Sequence, residues 1–144
     1  MGEPVGERQD RARMQAVAQA QPPFARHLGV RITHVAPDRI CGEMTVTPEL
    51  TNRNGVLHGG AVMGLADNLG GTAASVTLRP GETTTTVESK TSFFRAVPAG
   101  QVLRAVCTAL HKGRRTQIWQ TQLFREDAKL AAQVIQTQMI LPPE

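Results

Sequence analysis

One long apolar stretch, His58–Leu78, constrains the fold of this chain more than any other feature. Its small and apolar residues predict a helix from Gly60 to about Val76 that is buried on most sides, and Arg79-Pro80-Gly81 ends it. Asp67 is the one charged residue in the stretch. Because an ionised carboxylate in apolar surroundings is costly unless it is paired, hydrogen-bonded or used chemically, Asp67 is the first candidate functional residue.

The segments around this helix predict β-strands. Two runs flank Pro37-Asp38 and are typical of a β-hairpin, Gly29–Ala36 and Arg39–Pro48. Four β-branched or alternating segments follow the helix, separated by short turns: Thr83–Val97, Gln101–His111, Thr116–Arg125 and Leu130–Leu141. Short turns favour antiparallel neighbours. The order predicts an α+β fold in which one antiparallel sheet wraps around one long central helix.

The N-terminal residues are set apart from this pattern. Asp10–Gln21 has helix-forming composition and stops at Pro22-Pro23, which predicts a short helix after a disordered tip. We therefore divide the 144 residues into an N-terminal tip and helix, residues 1–23, and a single domain, residues 24–144.

Composition excludes several classes of function. With four Phe, one Trp and no Tyr, the chain lacks the aromatic platforms of a nucleic-acid binder, and its net charge of +4 is dispersed apart from a few clusters. Five glycines, Asn68 and Asp67 argue against a membrane-spanning helix. Cys41 and Cys107 are too few and too far apart for a disulfide framework, and no secretory signal is evident, so we expect a cytoplasmic protein. The histidines have no metal-ligand spacing, and no metal is predicted.

The start of the helix suggests chemistry. It lacks a Ser or Asp cap, so its first amides are predicted to be free, at the positive end of the helix dipole, to polarise a carbonyl oxygen. Gly59 and Asp67 lie eight residues apart, or ~12 Å along one helix axis, so both cannot touch one carbonyl carbon. If both serve one substrate, Asp67 must come from a neighbouring subunit, which predicts a homodimer.

The order of elements, together with one motif, resembles the hotdog-fold thioesterases. The motif N-x-x-G-x-x-H-G-G-x-x-x-x-x-x-D runs from Asn52 to Asp67, and its spacing is restrictive. The similarity covers roughly Phe24–Leu141 and is greatest to the PaaI-type branch of the phenylacetate pathway, which includes the acyl-CoA thioesterase 13 proteins and bacterial aryl-CoA hydrolases. A second branch has its acid in a Tyr-x-Asp pattern before the helix, and this chain has no Tyr.

The resemblance implies roles for individual residues. Asp67 would act as nucleophile or general base, and the Gly59 N–H would polarise the thioester carbonyl. Asn52 and His58 would orient the loop, thioester and attacking water, while Thr86 matches a family position that helps to hold the water. Gly60 is assigned to coenzyme A binding, with a basic cluster that could contact its phosphates: Lys112, Arg114 and Arg115.

Simpler interpretations stand beside these roles. Asn52 lies among turn-forming residues, and the basic cluster lies at a hairpin tip where cations commonly stay solvated. A histidine beside a helix start is more often a structural hydrogen-bonding group than a proton carrier. The Phe93-Phe94 pair is assigned to the core in preference to an interface or acyl pocket.

The predicted function is hydrolysis of an acyl-CoA or aryl-CoA thioester to the free acid and coenzyme A. Coenzyme A is part of the substrate, and no separate cofactor is expected. Family habit implies a homotetramer built as a dimer of dimers. The alternative is a non-catalytic module that binds acyl-CoA; a hotdog hydratase would need a paired His and Asp at a spacing that this helix lacks. The sequence does not identify the acyl or aryl group.

Overall fold

A computed structural model describes residues 2–144 and contains three α-helices, one short 3₁₀-helix at Pro48–Leu50, and six strands. The helices are α1 (Val5–Gln19), α2 (Pro23–Leu28) and α3 (Gly59–Ser75). The strands are β1 (Arg31–Ala36), β2 (Arg39–Thr45), β3 (Thr83–Phe93), β4 (Val102–Lys112), β5 (Thr116–Phe124) and β6 (Leu130–Leu141). The predicted hairpin, central helix and four later strands are all present, with ends that differ by up to four residues.

The six strands form one antiparallel sheet in the order β1-β2-β4-β5-β6-β3. Burial alternates along β5 and along most of β6, so one face of each strand packs inward and the other faces outward. Helix α3 contacts β2, β3, β4, β5 and β6 and therefore lies across the inner face of the sheet. The predicted α+β architecture, a sheet around one long central helix, is confirmed.

Close packing of α3 on the sheet depends on small residues. Leu65 and Leu69 of the helix are fully buried. At Gly42 of β2, an added Cβ would lie 3.0 Å from the Arg31 carbonyl oxygen and 3.2 Å from Leu69 Cδ2. A side chain at this position would therefore push the helix away from the hairpin.

The N-terminal region is more ordered than the sequence suggested. Helix α1 begins at Val5 rather than Asp10. The prediction of a disordered tip before Asp10 is therefore wrong from Val5 onward. Helix α2, which the pattern did not predict, ends at Gly29 in the left-handed conformation, with φ of 77°. Met14 and Ala18 of α1 are buried in the main core. The division of the chain at residue 23 stays a prediction.

Strand β3 forms one edge of the sheet and is the most exposed of the strands. Within residues 2–144 it pairs only with β6, so its outer edge carries no strand. None of its eleven residues is buried, and Val87 and Phe93 are 52% and 55% exposed. A long, unpaired edge of this kind is a template for another strand.

Candidate active site

Helix α3 carries both of the groups on which the predicted chemistry depends. Gly59 is its first residue and Asp67 lies in its middle, on one continuous helix. Gly60, Met63 and Asp67 are exposed and recur at helical spacing, so they form one open stripe along α3. Within a single chain Asp67 is therefore exposed.

The carboxylate of Asp67 is held by two donors on one oxygen. The Thr86 hydroxyl donates to Asp67 Oδ1 at 2.7 Å, and Gln136 Nε2 donates to the same oxygen at 3.2 Å. Asp67 Oδ2 has no hydrogen-bond partner among residues 2–144. Of the four consecutive threonines, Thr86 is the one that reaches Asp67. Its predicted role in holding the attacking water stays a prediction.

A cavity of about 450 Å³ opens beside Asp67. Helix α3 and strand β3 line one side of it, and the segment between α1 and α2 lines the other. Gln21 in that segment accepts a hydrogen bond from Asn68 Nδ2 and donates one to Thr72 Oγ1 at 3.3 Å. Sequence reasoning assigned no role to this segment, because nothing in its pattern indicates that the chain folds back onto α3.

The start of α3 is capped by an unusual residue. His58 Nδ1 accepts a hydrogen bond from the Gly60 N–H at 2.8 Å, and the His58 carbonyl oxygen accepts from Ala61. The prediction that the first amides are all free is therefore wrong for Gly60, because the imidazole Nδ1 accepts its hydrogen bond in place of a Ser or Asp side chain. The Gly59 N–H has no partner among residues 2–144. In a single chain, the Gly60 N–H is thus unavailable for coenzyme A.

The loop before α3 is organised by Asn52. Its Oδ1 accepts hydrogen bonds from the N–H groups of Asn54 at 2.9 Å and Val56 at 3.4 Å. Gly55 has φ of 72°, a conformation that favours glycine. The side chain of Asn52 therefore acts on its own turn, as the simpler interpretation had it, and its predicted contact with a thioester stays a prediction.

Gly59 faces a second cavity of about 430 Å³, which Asp67 does not line. Asn52, Val62, Phe93 and Phe94 are among its lining residues. The two phenylalanines are 55% and 53% exposed, so their assignment to the core is wrong in the single chain. An added Cβ on Gly59 would lie 3.2 Å from Phe93 Cζ.

The basic cluster lies at the turn between β4 and β5. Lys112 Nζ donates to the Pro37 carbonyl oxygen at 3.1 Å, which ties this turn to the β1–β2 turn. Lys112 and Arg114 line a cavity of about 250 Å³ with Arg79 and Glu82, and Asp67 does not line it. The single chain thus does not bring the cluster together with the predicted catalytic groups, and its contact with coenzyme A stays a prediction.

The two cysteines lie on neighbouring strands and are both free thiols. Burial raises the pKa of Cys107 to about 12, so this thiol stays protonated and unreactive at neutral pH. Within residues 2–144, no group of three or more His, Cys, Asp or Glu side chains is arranged to hold a metal ion. None of the helices in that range combines the length and hydropathy that crossing a membrane requires.

Gln136 and Gln138 are the residues near Asp67 that the sequence interpretation missed. Both lie on the inner face of β6 and are 1% exposed. The sequence does indicate them, because alternate residues of a strand face the same side. Gln136 and Gln138 therefore lie on the same face as Ala132, Val134 and Ile140, where two amides interrupt an otherwise apolar pattern. Two consecutive polar residues on a buried face require partners, and here the partners are Asp67 and Thr86.

Comparisons with known proteins identify the family of this chain. Residues 54–132 match the family model of the thioesterase superfamily. The proofreading thioesterase EntH of Cronobacter turicensis is 38% identical over 106 residues, which cover 74% of this chain and 77% of that protein.

Solved structures share the architecture. The thioesterase HI1161 from Haemophilus influenzae is 30% identical, with a TM-score of 0.78 over 83% of this chain and 82% of that one. The PaaI protein from the phenylacetic acid degradation operon of E. coli has a TM-score of 0.85 over 92% of this chain and 96% of that one, and at 22% identity it supports the fold alone. The chain belongs to the thioesterase superfamily of hotdog-fold thioester hydrolases.

Proposed function

We propose that this protein hydrolyses acyl-CoA or aryl-CoA thioesters, releasing the free acid and coenzyme A, with Asp67 as general base or nucleophile. The observation that carries the proposal is the state of the Asp67 carboxylate. One oxygen is fixed by Thr86 and Gln136, the other is unpartnered among residues 2–144, and Asp67 lines an open cavity. An oriented carboxylate with one free oxygen can attack a carbonyl carbon or take a proton from water.

The Gly59 N–H supplies the complementary group. It is unpaired at the start of a 17-residue helix, where the helix dipole favours developing negative charge. A tetrahedral intermediate of thioester hydrolysis carries that charge on its oxygen, and a donor of this kind stabilises it. The cavity around Gly59 and the cavity around Asp67 have no lining residue in common.

A second copy of the chain would join these two half-sites. Gly59 and Asp67 lie eight residues apart on one helix, or ~12 Å along its axis, which is too far for one thioester. A neighbouring subunit with α3 in the opposite direction would place its Gly59 near Asp67, and two-fold symmetry would create two equivalent sites. The exposed stripe of α3 and the unpaired edge of β3 favour this arrangement. The homotetramer and the cytoplasmic location stay predictions.

The relatives support the class of reaction. EntH is described as a proofreading thioesterase and HI1161 as a thioesterase, and the matched segment of this chain includes Gly59 and Asp67. Coenzyme A would extend toward cationic side chains, for which Lys112, Arg114 and Arg115 are the candidates. The substrate panel includes both aryl and alkyl thioesters.

The test is release of free coenzyme A from a panel of acyl and aryl thioesters. We expect turnover of at least one thioester by the wild type, and a loss of at least ~100-fold in Asp67→Asn, the size expected when a general base is removed. Asp127→Asn is the matched control, because Asp127 lies in the exposed β5–β6 turn and pairs with Arg125 at 2.5 Å. It should retain wild-type activity.

Two results would contradict the proposal. If the wild type cleaves no thioester but still binds acyl-CoA, the protein is a binding module and the catalytic assignment fails. If Asp67→Asn retains wild-type turnover while the fold is intact, hydrolysis uses another group and Asp67 has a structural role.

A further inference from the structure

The inner face of β6 presents two buried amides to α3, and their bonding differs. Gln138 is satisfied at both ends, because its Oε1 accepts from Thr84 Oγ1 at 3.0 Å and its Nε2 donates to Thr86 Oγ1 at 2.6 Å. Gln136 is satisfied at one end only. Its Nε2 donates to Asp67 Oδ1, while its Oε1 is buried without a partner among residues 2–144. A buried, half-paired amide is costly and calls for an explanation.

Gln136 is held tightly in this orientation. An added Cβ on Gly70 would lie 2.3 Å from Gln136 Cδ and 2.4 Å from its Nε2 and Oε1, so the amide packs directly against the backbone of α3. Rotating the amide by half a turn would bring its Oε1 toward the Asp67 carboxylate, where two acceptors repel each other. The orphaned oxygen is therefore the consequence of aiming the N–H at Asp67.

The direction in which the Thr86 hydroxyl donates its hydrogen bond is also fixed. Gln138 Nε2 donates to Thr86 Oγ1, which uses an acceptor position of the hydroxyl, and the single Thr86 proton is then directed to Asp67 Oδ1. Two donors from two different strands thus converge on one oxygen. The other oxygen, Oδ2, is left without a hydrogen-bond partner among residues 2–144, and Asp67 lines the open cavity.

We propose that Gln136 is a positioning residue for the reaction, which with Thr86 fixes Asp67 Oδ1 so that Oδ2 is the oxygen that reacts. This inference rests on the proposed thioesterase activity and adds to it the choice of oxygen and the residue that enforces it. In this proposal Gln136 acts through its hydrogen bond to Asp67 and not by binding the thioester. Its contribution is to hold the carboxylate in one rotamer, since a small misplacement of a reacting group is costly in rate.

The decisive variant is Gln136→Met, which keeps the volume of the side chain and removes its N–H. We expect kcat for the best thioester to fall about 10- to 100-fold, because Asp67 loses one of two orienting bonds, while KM changes less than about 3-fold. The melting temperature should be unchanged or higher, since the substitution also removes the orphaned Oε1. A residue with a merely structural role would lose stability and leave kcat of the folded enzyme unaffected.

Gln133→Met is the matched control on the same strand. Gln133 Oε1 accepts from Gln122 Nε2 at 3.4 Å and does not contact Asp67, so this variant should keep wild-type kcat. A double-mutant cycle with Thr86→Val adds a second readout. If both donors fix one oxygen, the double variant should lose less than the product of the two single losses.

The outcomes separate this inference from the proposed function. If the wild type hydrolyses thioesters but Gln136→Met does so with unchanged kcat, or if its loss multiplies with that of Thr86→Val, Gln136 is not a positioning residue and the proposed function stands. If the wild type hydrolyses no thioester in the panel, the proposed function fails and this inference fails with it. A fall in kcat at unchanged melting temperature, with a non-additive cycle, supports the inference.

Discussion

The two functional regions of α3 are held in place by contacts of different range. At its N-terminal end, Asn52 Oδ1 binds backbone N–H groups two and four residues ahead, and His58 Nδ1 binds one two residues ahead. In its middle, Asp67 binds Thr86 and Gln136, which are 19 and 69 residues away. The contacts of the first region are local, so the motif itself is sufficient to form them. The contacts of the second region form only when β3 and β6 are in the correct register.

The surfaces around the two regions differ as well. Gly59 opens onto a cavity with Val62, Phe93 and Phe94 in its wall, whereas Asp67 opens onto one lined largely by polar side chains, among them Gln21, Thr86 and Gln138. If two copies complete the site, one supplies the free amide and apolar surface and the other supplies the oriented carboxylate. Experiments that alter one region at a time can separate these contributions.

The largest effect of altering the N-terminal region is expected from Gly59→Pro. Proline at the first helical position removes only an N–H that has no partner within the helix, and His58 already has the extended backbone, φ −65° and ψ 136°, that a residue before proline favours. We expect kcat to fall by about 10²- to 10³-fold, as when one oxyanion donor is lost. Coenzyme A release under saturating substrate measures it.

Gly59→Ala is the control for Gly59→Pro. It adds the same Cβ, 3.2 Å from the end of the exposed Phe93 side chain, but keeps the N–H. We expect it to retain most of the activity, because Phe93 can shift by a few tenths of an ångström. Equal losses in the two variants would show that bulk at this position matters and that the amide does not act on the carbonyl.

The next experiment asks whether the two regions act across subunits. Asp67→Asn and Gly59→Pro are co-expressed with different affinity tags, and mixed oligomers are purified through both tags. A mixed dimer has one site with both groups intact, so its activity should recover at least ~10-fold above either parent. Mixed oligomers as inactive as their parents would mean that both groups act within one chain, which contradicts the two-subunit site.

The sequence predicted the features that depend on local contacts and did not predict those that depend on contacts between distant residues. The helix, the strands and the motif from Asn52 to Asp67 follow from periodicity and spacing within a few residues. Gln136 could not be paired with Asp67, because that contact depends on where β6 lies beneath α3. For His58 the sequence indicated a structural hydrogen bond but not a helix cap, since imidazole is not among the usual capping side chains.

The smallest effect is expected from His58, whose role in the single chain is to cap α3. His58→Ala should lower the free energy of unfolding by about 1 kcal/mol, the usual cost of losing a cap, and lower kcat/KM modestly, because the first turn that presents the Gly59 N–H loosens. His58→Asn, which offers a good capping oxygen, should restore both. Chemical denaturation and coenzyme A release are measured at one protein concentration, because an oligomer's stability depends on it. Restored stability without restored activity would show that the imidazole itself contacts the thioester or the attacking water. The N-terminal region would then contribute a side chain to the reaction in addition to the Gly59 N–H.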